Sequence, residues 1–84
     1  MIKDNAKKII KYMLDQVLSN GNLNADICIR YDTLAEELKL ENENHCRVCF
    51  QYLSDLHYIH IIDNNNGSRL IRLTAKGIDF LESN

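Results

Sequence analysis

Residues 33–62 decide the fold, and they read TLAEELKLENENHCRVCFQYLSDLHYIHII. Thr33, followed three residues later by Glu36, is the pattern of a capping box at the start of a helix. Apolar residues then recur at helical spacing on both sides of a polar turn at residues 41–44. The two sets are Leu34, Ala35, Leu38 and Leu40, and then Cys46, Cys49, Phe50, Leu53 and Leu56. This pattern predicts a helix-turn-helix over about residues 33–57.

A β-hairpin is expected directly after these two helices. Residues 58–63 and 69–73 have the composition of strands, and the Asn- and Gly-containing stretch 64–68 between them is typical of a hairpin turn. The short β-branched stretch Ile27–Arg30 suits a third strand. Asp4 and Thr74 are the expected N-caps of a first helix to about residue 19 and a last helix to about residue 83, and Gly21 is the expected C-cap of the first.

Two motifs in the second half of the chain resemble the signature of small bacterial and phage winged helix-turn-helix proteins. They are Leu53-x-x-Leu56-x-Tyr58-Ile59 and Leu73-Thr74-x-x-Gly77-x-x-Phe80-Leu81, and the resemblance covers about two thirds of the chain. It implies an α+β winged helix over residues 1–84, in the order helix, strand, helix, helix, strand, wing, strand, helix, with the wing at about 58–73. The family usually has Gly where this chain has Lys39, which leaves the geometry of that turn open.

Composition limits the class of protein. The chain has 84 residues, 45% of them hydrophobic, which predicts a single globular domain with one modest core. We find no apolar run long enough to cross a membrane and no signal-peptide pattern, so we expect a cytoplasmic protein without membrane contact. Three cysteines, an odd number, fit a reducing compartment better than a disulfide framework.

The charge distribution leaves two classes of partner open. Residues 1–14 carry a net +3, whereas residues 32–55 carry six acids against Lys39 and Arg47, a net −4. DNA-binding domains normally present a basic surface, because phosphate contacts supply much of their affinity. An acidic helix-turn-helix would instead suit a basic protein partner.

The outward face of the second helix of the helix-turn-helix is the candidate for reading DNA bases. Asn and Gln side chains pair bidentately with adenine, and Arg pairs with guanine. The predicted DNA-binding residues on this helix are Asn44, His45, Arg47 and Gln51. The predicted contacts from the wing are Asn65, Ser68 and Arg69, and the predicted phosphate contacts from the basic first helix are Lys7 and Lys11.

Catalysis and metal binding find little support in the sequence. There is no Gly-rich phosphate loop, no nucleophile–base pair and no pair of carboxylates in a predicted cleft, so we expect neither an enzyme nor a cofactor. Cys46-x-x-Cys49, with histidines nearby, suggests zinc, but no second ligand pair stands at finger spacing. Both cysteines fall on the apolar face of the helix, where free cysteine packs as a small hydrophobe. We therefore predict no metal site.

The function predicted from the sequence is double-stranded DNA binding by a winged-helix protein. It would act as a transcriptional regulator or as an accessory DNA-binding protein of a phage or plasmid, and as a homodimer. Phe80 is the expected dimer contact, because it faces away from the rest of the last helix's apolar side. A DNA mode that uses the basic first helix and the wing stays open. The alternative class is a protein-interaction module with an acidic docking surface, such as a phage-encoded inhibitor or a co-regulator.

Overall fold

The computed structural model describes the backbone of residues 2–65 and 68–83, and the side chains of residues 2–62 and 68–83. The elements are α1 (Ile2–Asn20), β1 (Ile27–Arg30), α2 (Tyr31–Glu37), α3 (Glu43–Asp55), β2 (Ile59–Asn65), β3 (Ser68–Leu73) and α4 (Ala75–Glu82). Their order is the predicted one, so the α+β class is confirmed. Within the described residues, four helices and one antiparallel three-stranded sheet are compatible with a small winged-helix-like fold. The tip of the expected hairpin turn, residues 66–67, lies outside the described residues.

The sheet has the strand order β1-β3-β2, with β3 in the centre. Ile71 on β3 pairs with Ile27 on one side and with Ile61 on the other. On β2, Ile59 is fully buried and His60 is exposed, as the alternation of a strand predicts. The register then shifts between Ile61 and residue 63, which is a β-bulge that leaves Ile62 47% exposed.

The core lies between the sheet, α1 and α3. Its fully buried members include Ile9, Ile10 and Met13 of α1, and Cys46, Cys49, Phe50 and Leu53 of α3. The prediction that Leu56 belongs to this apolar face is wrong. Leu56 is the C-cap residue of α3, where the helical spacing ends, and it is 36% exposed. Across the part of the chain that the structure describes, no helix combines the length and apolarity that crossing a membrane requires.

Three helices end in the same left-handed turn. The residue after the C-cap has a positive φ in each case: Gly21 at 67°, Lys39 at 58° and His57 at 63°. Paired backbone hydrogen bonds close each turn as in a Schellman motif, with the longer one running from Asn22 N–H to Val17 O, from Leu40 N–H to Ala35 O, and from Tyr58 N–H to Leu53 O. Gly21 is therefore the glycine that ends α1, as the sequence predicted. Lys39 keeps the conformation that glycine favours, at a steric cost that glycine would not have.

The helix N-termini agree only in part with the predicted caps. Asn42, which lies in the polar turn at residues 41–44, caps α3 by accepting from His45 N–H at 2.8 Å. The capping role of Thr33 is wrong, because α2 begins at Tyr31 and its N-cap residue, Arg30, makes no side-chain cap bond. Tyr31, which is buried directly after β1, is the first residue of the helix, three residues before the predicted first residue, Leu34. Asp4 likewise lies within the first turn of α1, not before it.

Thr74 fixes the start of α4 to the end of α3. Its hydroxyl accepts from Gly77 N–H at 3.1 Å, which confirms the predicted cap, and donates to the carbonyl of His57 at 2.9 Å. Its backbone N–H also donates to the Tyr58 carbonyl at 3.2 Å. Gly77 lies so close to that carbonyl that a Cβ atom at position 77 would overlap it. This packing sets the position of α4 relative to the helix-turn-helix.

Candidate nucleic-acid interface

One stripe of α3 faces solvent along its whole length. Asn44, Val48, Gln51 and Asp55 follow one another at steps of four, three and four residues, and all are exposed. The opposite face is buried against α1 and the sheet. Asn44 and Gln51 therefore lie on the outward face, where the helical spacing placed them. Whether they contact DNA stays a prediction.

Arg47 lies at the edge of this stripe and is held by two neighbours. One guanidinium nitrogen donates to the Glu43 carboxylate at 3.0 Å, one helical turn earlier. The guanidinium carbon also lies 5.7 Å from the centre of the Tyr31 ring, within cation–π range. The Nε atom is buried and makes no hydrogen bond to any residue that the structure describes. Arg47 thus contacts Glu43 and Tyr31 in the free protein, and its Nε–H has no acceptor among the described residues.

Arg69 reaches the same aromatic ring from the wing. Its guanidinium carbon lies 4.9 Å from the centre of the Tyr31 ring, and it donates to the Ser68 carbonyl at 3.1 Å. Tyr31 is 4% exposed and stacks on Phe50 at a centroid distance of 4.9 Å. Burial raises the pKa of Tyr31, and the nearby Arg69 guanidinium opposes that rise. We call Tyr31, Arg47 and Arg69 the Tyr31 cluster.

The Tyr31 cluster joins two predicted site residues that lie 22 positions apart, one on α3 and one on β3. The sequence indicated a half-buried Tyr31 beside an exposed Arg30, but not that Tyr31 joins these two arginines. A signal was available, because β1 alternates buried and exposed residues from Ile27 to Arg30, and Tyr31 continues that alternation on the buried side.

Carboxylates accompany the arginines of this face. Arg30 donates to the Asp32 carboxylate at 3.2 Å, as Arg47 does to Glu43. The bond from Arg30, with a second from Thr33 N–H, lowers the pKa of Asp32. These pairs are exposed, so each stabilises the fold only weakly. They nevertheless reduce the positive field that an approaching phosphate would meet.

The prediction that His45 faces outward is wrong. Its side chain is 19% exposed and its Nε2 accepts from the Asn5 side-chain amide of α1 at 2.7 Å. The other ring nitrogen, Nδ1, lies 3.9 Å from the Glu41 carboxylate. The first turn of α3 packs against α1, and His45 lies in that contact. It links α1 to the helix that presents Asn44 and Gln51, and any DNA contact by His45 stays a prediction.

The predicted phosphate contacts of α1 lie apart from the Tyr31 cluster. Lys7 follows Asn5 by two residues, or about 200° around the helix. It therefore lies on the flank of α1 that contacts α4, and its Nζ atom is 5.5 Å from the centre of the Phe80 ring. Lys11 is paired with Asp15 at 3.0 Å. The structure does not bring these lysines together with Arg47 and Gln51.

Phe80 makes its aromatic contact with another residue of the same chain. Its ring stacks on Tyr58 at a centroid distance of 4.6 Å, beneath Lys7. The expectation that its ring points away from the rest of the chain is therefore wrong, and whether Phe80 contacts a second copy stays a prediction. The partner ring, Tyr58, belongs to the residue directly before β2.

The wing contributes the start of β3 to the candidate interface. Ser68 and Arg69 are both half-buried there. Asn65 ends β2, and its backbone pairs with Ser68 across the hairpin. The Asn65 side chain lies outside the described residues. Farther along β3, Arg72 makes two hydrogen bonds to the Asp26 carboxylate, at 2.7 and 3.0 Å.

The cysteines of α3 belong to the core. Cys46 and Cys49 are fully buried, and burial raises the pKa of Cys46 to about 12. Burial also raises the pKa of Cys49, whose thiol points to the Ile2 carbonyl at 3.9 Å. Among the described residues, no three His, Cys, Asp or Glu side chains converge as a metal site would require. Cys28 is exposed.

The candidate interface therefore consists of the exposed stripe of α3, with Asn44 and Gln51, and of Arg47 and Arg69 beside it at the base of the wing. The hairpin and the outward face of α3 are joined through the buried ring of Tyr31. Comparisons of the chain with models of protein families, with curated proteins and with solved structures found no match.

Proposed function

We propose that the protein is a cytoplasmic winged-helix protein, of the kind found in small bacterial and phage regulators, that binds double-stranded DNA. It would place α3 in the major groove and the β2–β3 wing along the backbone. It would act in pairs on a two-fold site, as a transcriptional regulator or as an accessory protein of a phage or plasmid. The observation that supports this most is the position of Arg47 and Arg69 over the single ring of Tyr31.

The spacing along α3 suits base reading. Asn44 and Gln51 are seven residues apart on the exposed stripe, or about 10 Å along the helix axis. That distance corresponds to about three base pairs, at about 3.4 Å each. Both amides can pair bidentately with adenine, and Val48 between them offers an apolar contact for a thymine methyl group. Arg47, at the edge of the stripe, is placed for guanine or for a phosphate.

The Tyr31 cluster gives the wing and α3 a fixed relation. A cation from each element rests on one buried ring, so the two arginines lie close together before any ligand arrives. A duplex offers matching acceptors, because its base edges and its phosphates recur at fixed distances. This preorganisation is what a groove-binding helix with a backbone-contacting wing requires.

A protein-interaction module is the second candidate, and one observation favours it. The acids of α2 and of the turn after it, among them Glu36, Glu37 and Glu41, are exposed. With a net −4 over residues 32–55, this surface repels phosphate and suits a basic protein. The two candidates predict opposite changes in affinity when an acidic residue is removed. DNA binding should become stronger, whereas docking of a basic partner should become weaker.

Selection of bound sequences from a random duplex pool tests the proposal. The selected duplex is then titrated with the wild type, Arg47→Ala and Gln51→Ala. Gln16→Ala, on α1, is the matched control. Loss of a base contact should cost about 1–3 kcal/mol and relax the preference at one position. Failure to select any sequence, with no salt-dependent affinity for arbitrary duplex, would instead favour the protein partner.

The salt dependence of binding separates the two DNA modes. Each phosphate contact contributes about 0.9 to the slope of log affinity against log salt. Lys7, Lys8 and Lys11 are replaced together by Gln. Lys7 lies over the Phe80 ring and Lys11 pairs with Asp15. We therefore expect the slope to fall by less than about 0.9, the contribution of one phosphate contact. A decrease of about one to three units would mean that α1 holds the DNA.

A further inference from the structure

Two guanidinium groups from different elements converge on the ring of Tyr31. The guanidinium carbons of Arg47 and Arg69 lie 5.7 and 4.9 Å from the ring centre, so they are at most about 11 Å apart, the sum of these two distances. Both groups also oppose the rise in the pKa of Tyr31, which places both within electrostatic reach of its hydroxyl. Two cations at this range repel each other, and an anion between them attracts both.

Arg47 brings a hydrogen-bond donor that is not used within the described residues. Its ion pair with Glu43 engages one terminal nitrogen of the guanidinium, whereas its Nε–H is buried and has no acceptor there. A buried donor without an acceptor is unfavourable. A small outward turn of the side chain would present Nε–H and a terminal N–H as the two parallel donors that bind an oxyanion. The exposed pair with Glu43 is weak, so it offers little resistance to that turn.

The arrangement of the two arginines favours a phosphate group over a base edge. The acceptors of guanine are both taken by a single guanidinium, which leaves none for a second arginine. A phosphate has two non-bridging oxygens, and each can accept from a different guanidinium. Two guanidinium carbons that share one phosphate lie up to about 8 Å apart, which is compatible with the limit set by the Tyr31 ring.

We propose that Arg47 and Arg69 hold one phosphate group between them, in a single site shared by α3 and β3. The site deepens the proposed function and rests on it for the source of the phosphate, a phosphodiester of the duplex. Arg47 then positions the DNA, and base reading is left to Asn44 and Gln51.

Titration with inorganic phosphate, followed by NMR, tests the site without DNA. The Nε–H groups of arginines give separate proton–nitrogen resonances in slightly acidic buffer, and sodium chloride keeps the ionic strength constant. We expect the resonances of Arg47 and Arg69 to shift together with one common Kd of about 1–10 mM. Arg72 is the internal control, because its Nε–H already donates to Asp26 at 3.0 Å. Two different Kd values, or no shift beyond that of Arg72, would overturn the shared site.

Two variants separate a shared site from a general effect of charge. If both donors hold the same anion, Arg69→Gln should weaken phosphate binding at the Arg47 Nε–H by about tenfold or more. Arg30→Gln removes the same charge from the residue before Tyr31, whose guanidinium pairs with Asp32. It should weaken binding by less than about twofold, because an exposed charge outside the site is screened. Equal effects of the two variants would contradict the proposal.

The selected duplex identifies the source of the phosphate. A neutral methylphosphonate replaces each phosphodiester in turn. At one position it should weaken binding of the wild type by about tenfold, but that of Arg47→Gln and of Arg69→Gln by less than about twofold. Different positions for the two variants would overturn the shared site and leave DNA binding intact. A successful phosphate titration without any selected duplex would instead retain the site, refute the proposed function and indicate another phosphorylated ligand.

Discussion

Replacement of Glu43 by Gln should strengthen binding to duplex DNA while slightly weakening the fold. Glu43 is the first residue of α3, and its carboxylate accepts from Arg47 at 3.0 Å. Loss of this exposed i,i+4 ion pair costs about 0.3–0.5 kcal/mol. Loss of a negative charge at a helix N-terminus costs a further 0.3–1 kcal/mol or so. We therefore expect the free energy of unfolding to fall by about 1 kcal/mol.

The gain in DNA affinity has two sources. Arg47 no longer has to leave a carboxylate in order to meet the duplex, which recovers about 0.3–0.5 kcal/mol. A carboxylate about 7 Å from a phosphate also repels it by roughly 0.6 kcal/mol in water before screening by salt. Together these terms amount to about 1 kcal/mol, so we expect about threefold to tenfold tighter binding.

Fluorescence anisotropy on a labelled duplex measures this effect. The control is Glu82→Gln, which changes the net charge equally on the exposed surface of α4. The gain should exceed that of the control and should shrink as salt is raised, because screening removes the repulsion. Equal affinity for the two variants would mean that Arg47 does not meet the duplex. Weaker binding of a basic protein by Glu43→Gln alone would indicate the acidic docking surface instead.

Three further predictions concern the fold. Lys39→Gly and His57→Gly should each raise the free energy of unfolding by about 0.5–1 kcal/mol in urea titrations, because both positions have positive φ. Lys39→Ala is the control: it keeps Cβ and should give no such gain. Gly77→Ala should lower that free energy by about 2 kcal/mol or more, since the new Cβ would overlap the Tyr58 carbonyl. A loss below about 0.5 kcal/mol would contradict the close packing of α4. A thiol reagent near neutral pH should label Cys28 alone in the native protein and all three cysteines in denaturant; rapid native labelling of a second thiol would contradict the burial of the other two.

The order of elements could be predicted because it depends on local patterns. The three- and four-residue spacing of α3, the β-branched strands and the caps at Asn42 and Thr74 are properties of neighbouring residues. The errors at Thr33, Asp4 and Leu56 concern only where helices begin and end, whereas those at His45 and Phe80 arose where distant parts of the chain meet. His45 has the spacing of an exposed residue but packs on Asn5 of α1, 40 positions away, and Phe80 stacks on Tyr58.

The candidate site divides in the same way. Helical spacing was enough to place Asn44 and Gln51 on the outward face. The meeting of Arg47 and Arg69 depends instead on the pairing of β1 with β3, which sets Arg69 opposite Ile29, two residues before Tyr31 in the chain. Nothing local to either arginine encodes that register. It follows from which face of the sheet is buried.

The Tyr31 cluster has a thermodynamic consequence for any ligand of this face. A long side chain that becomes immobilised on binding costs about 0.5–1.5 kcal/mol in lost rotamer freedom. Arg47 and Arg69 already rest on a ring that is stacked on Phe50 of the core. Their rotamers are therefore restricted before binding, and the entropy lost on binding is smaller. Replacement of Tyr31 by Leu would release both guanidiniums without removing a charge. The loss of affinity should then appear in calorimetry as a less favourable binding entropy, while the salt dependence stays the same.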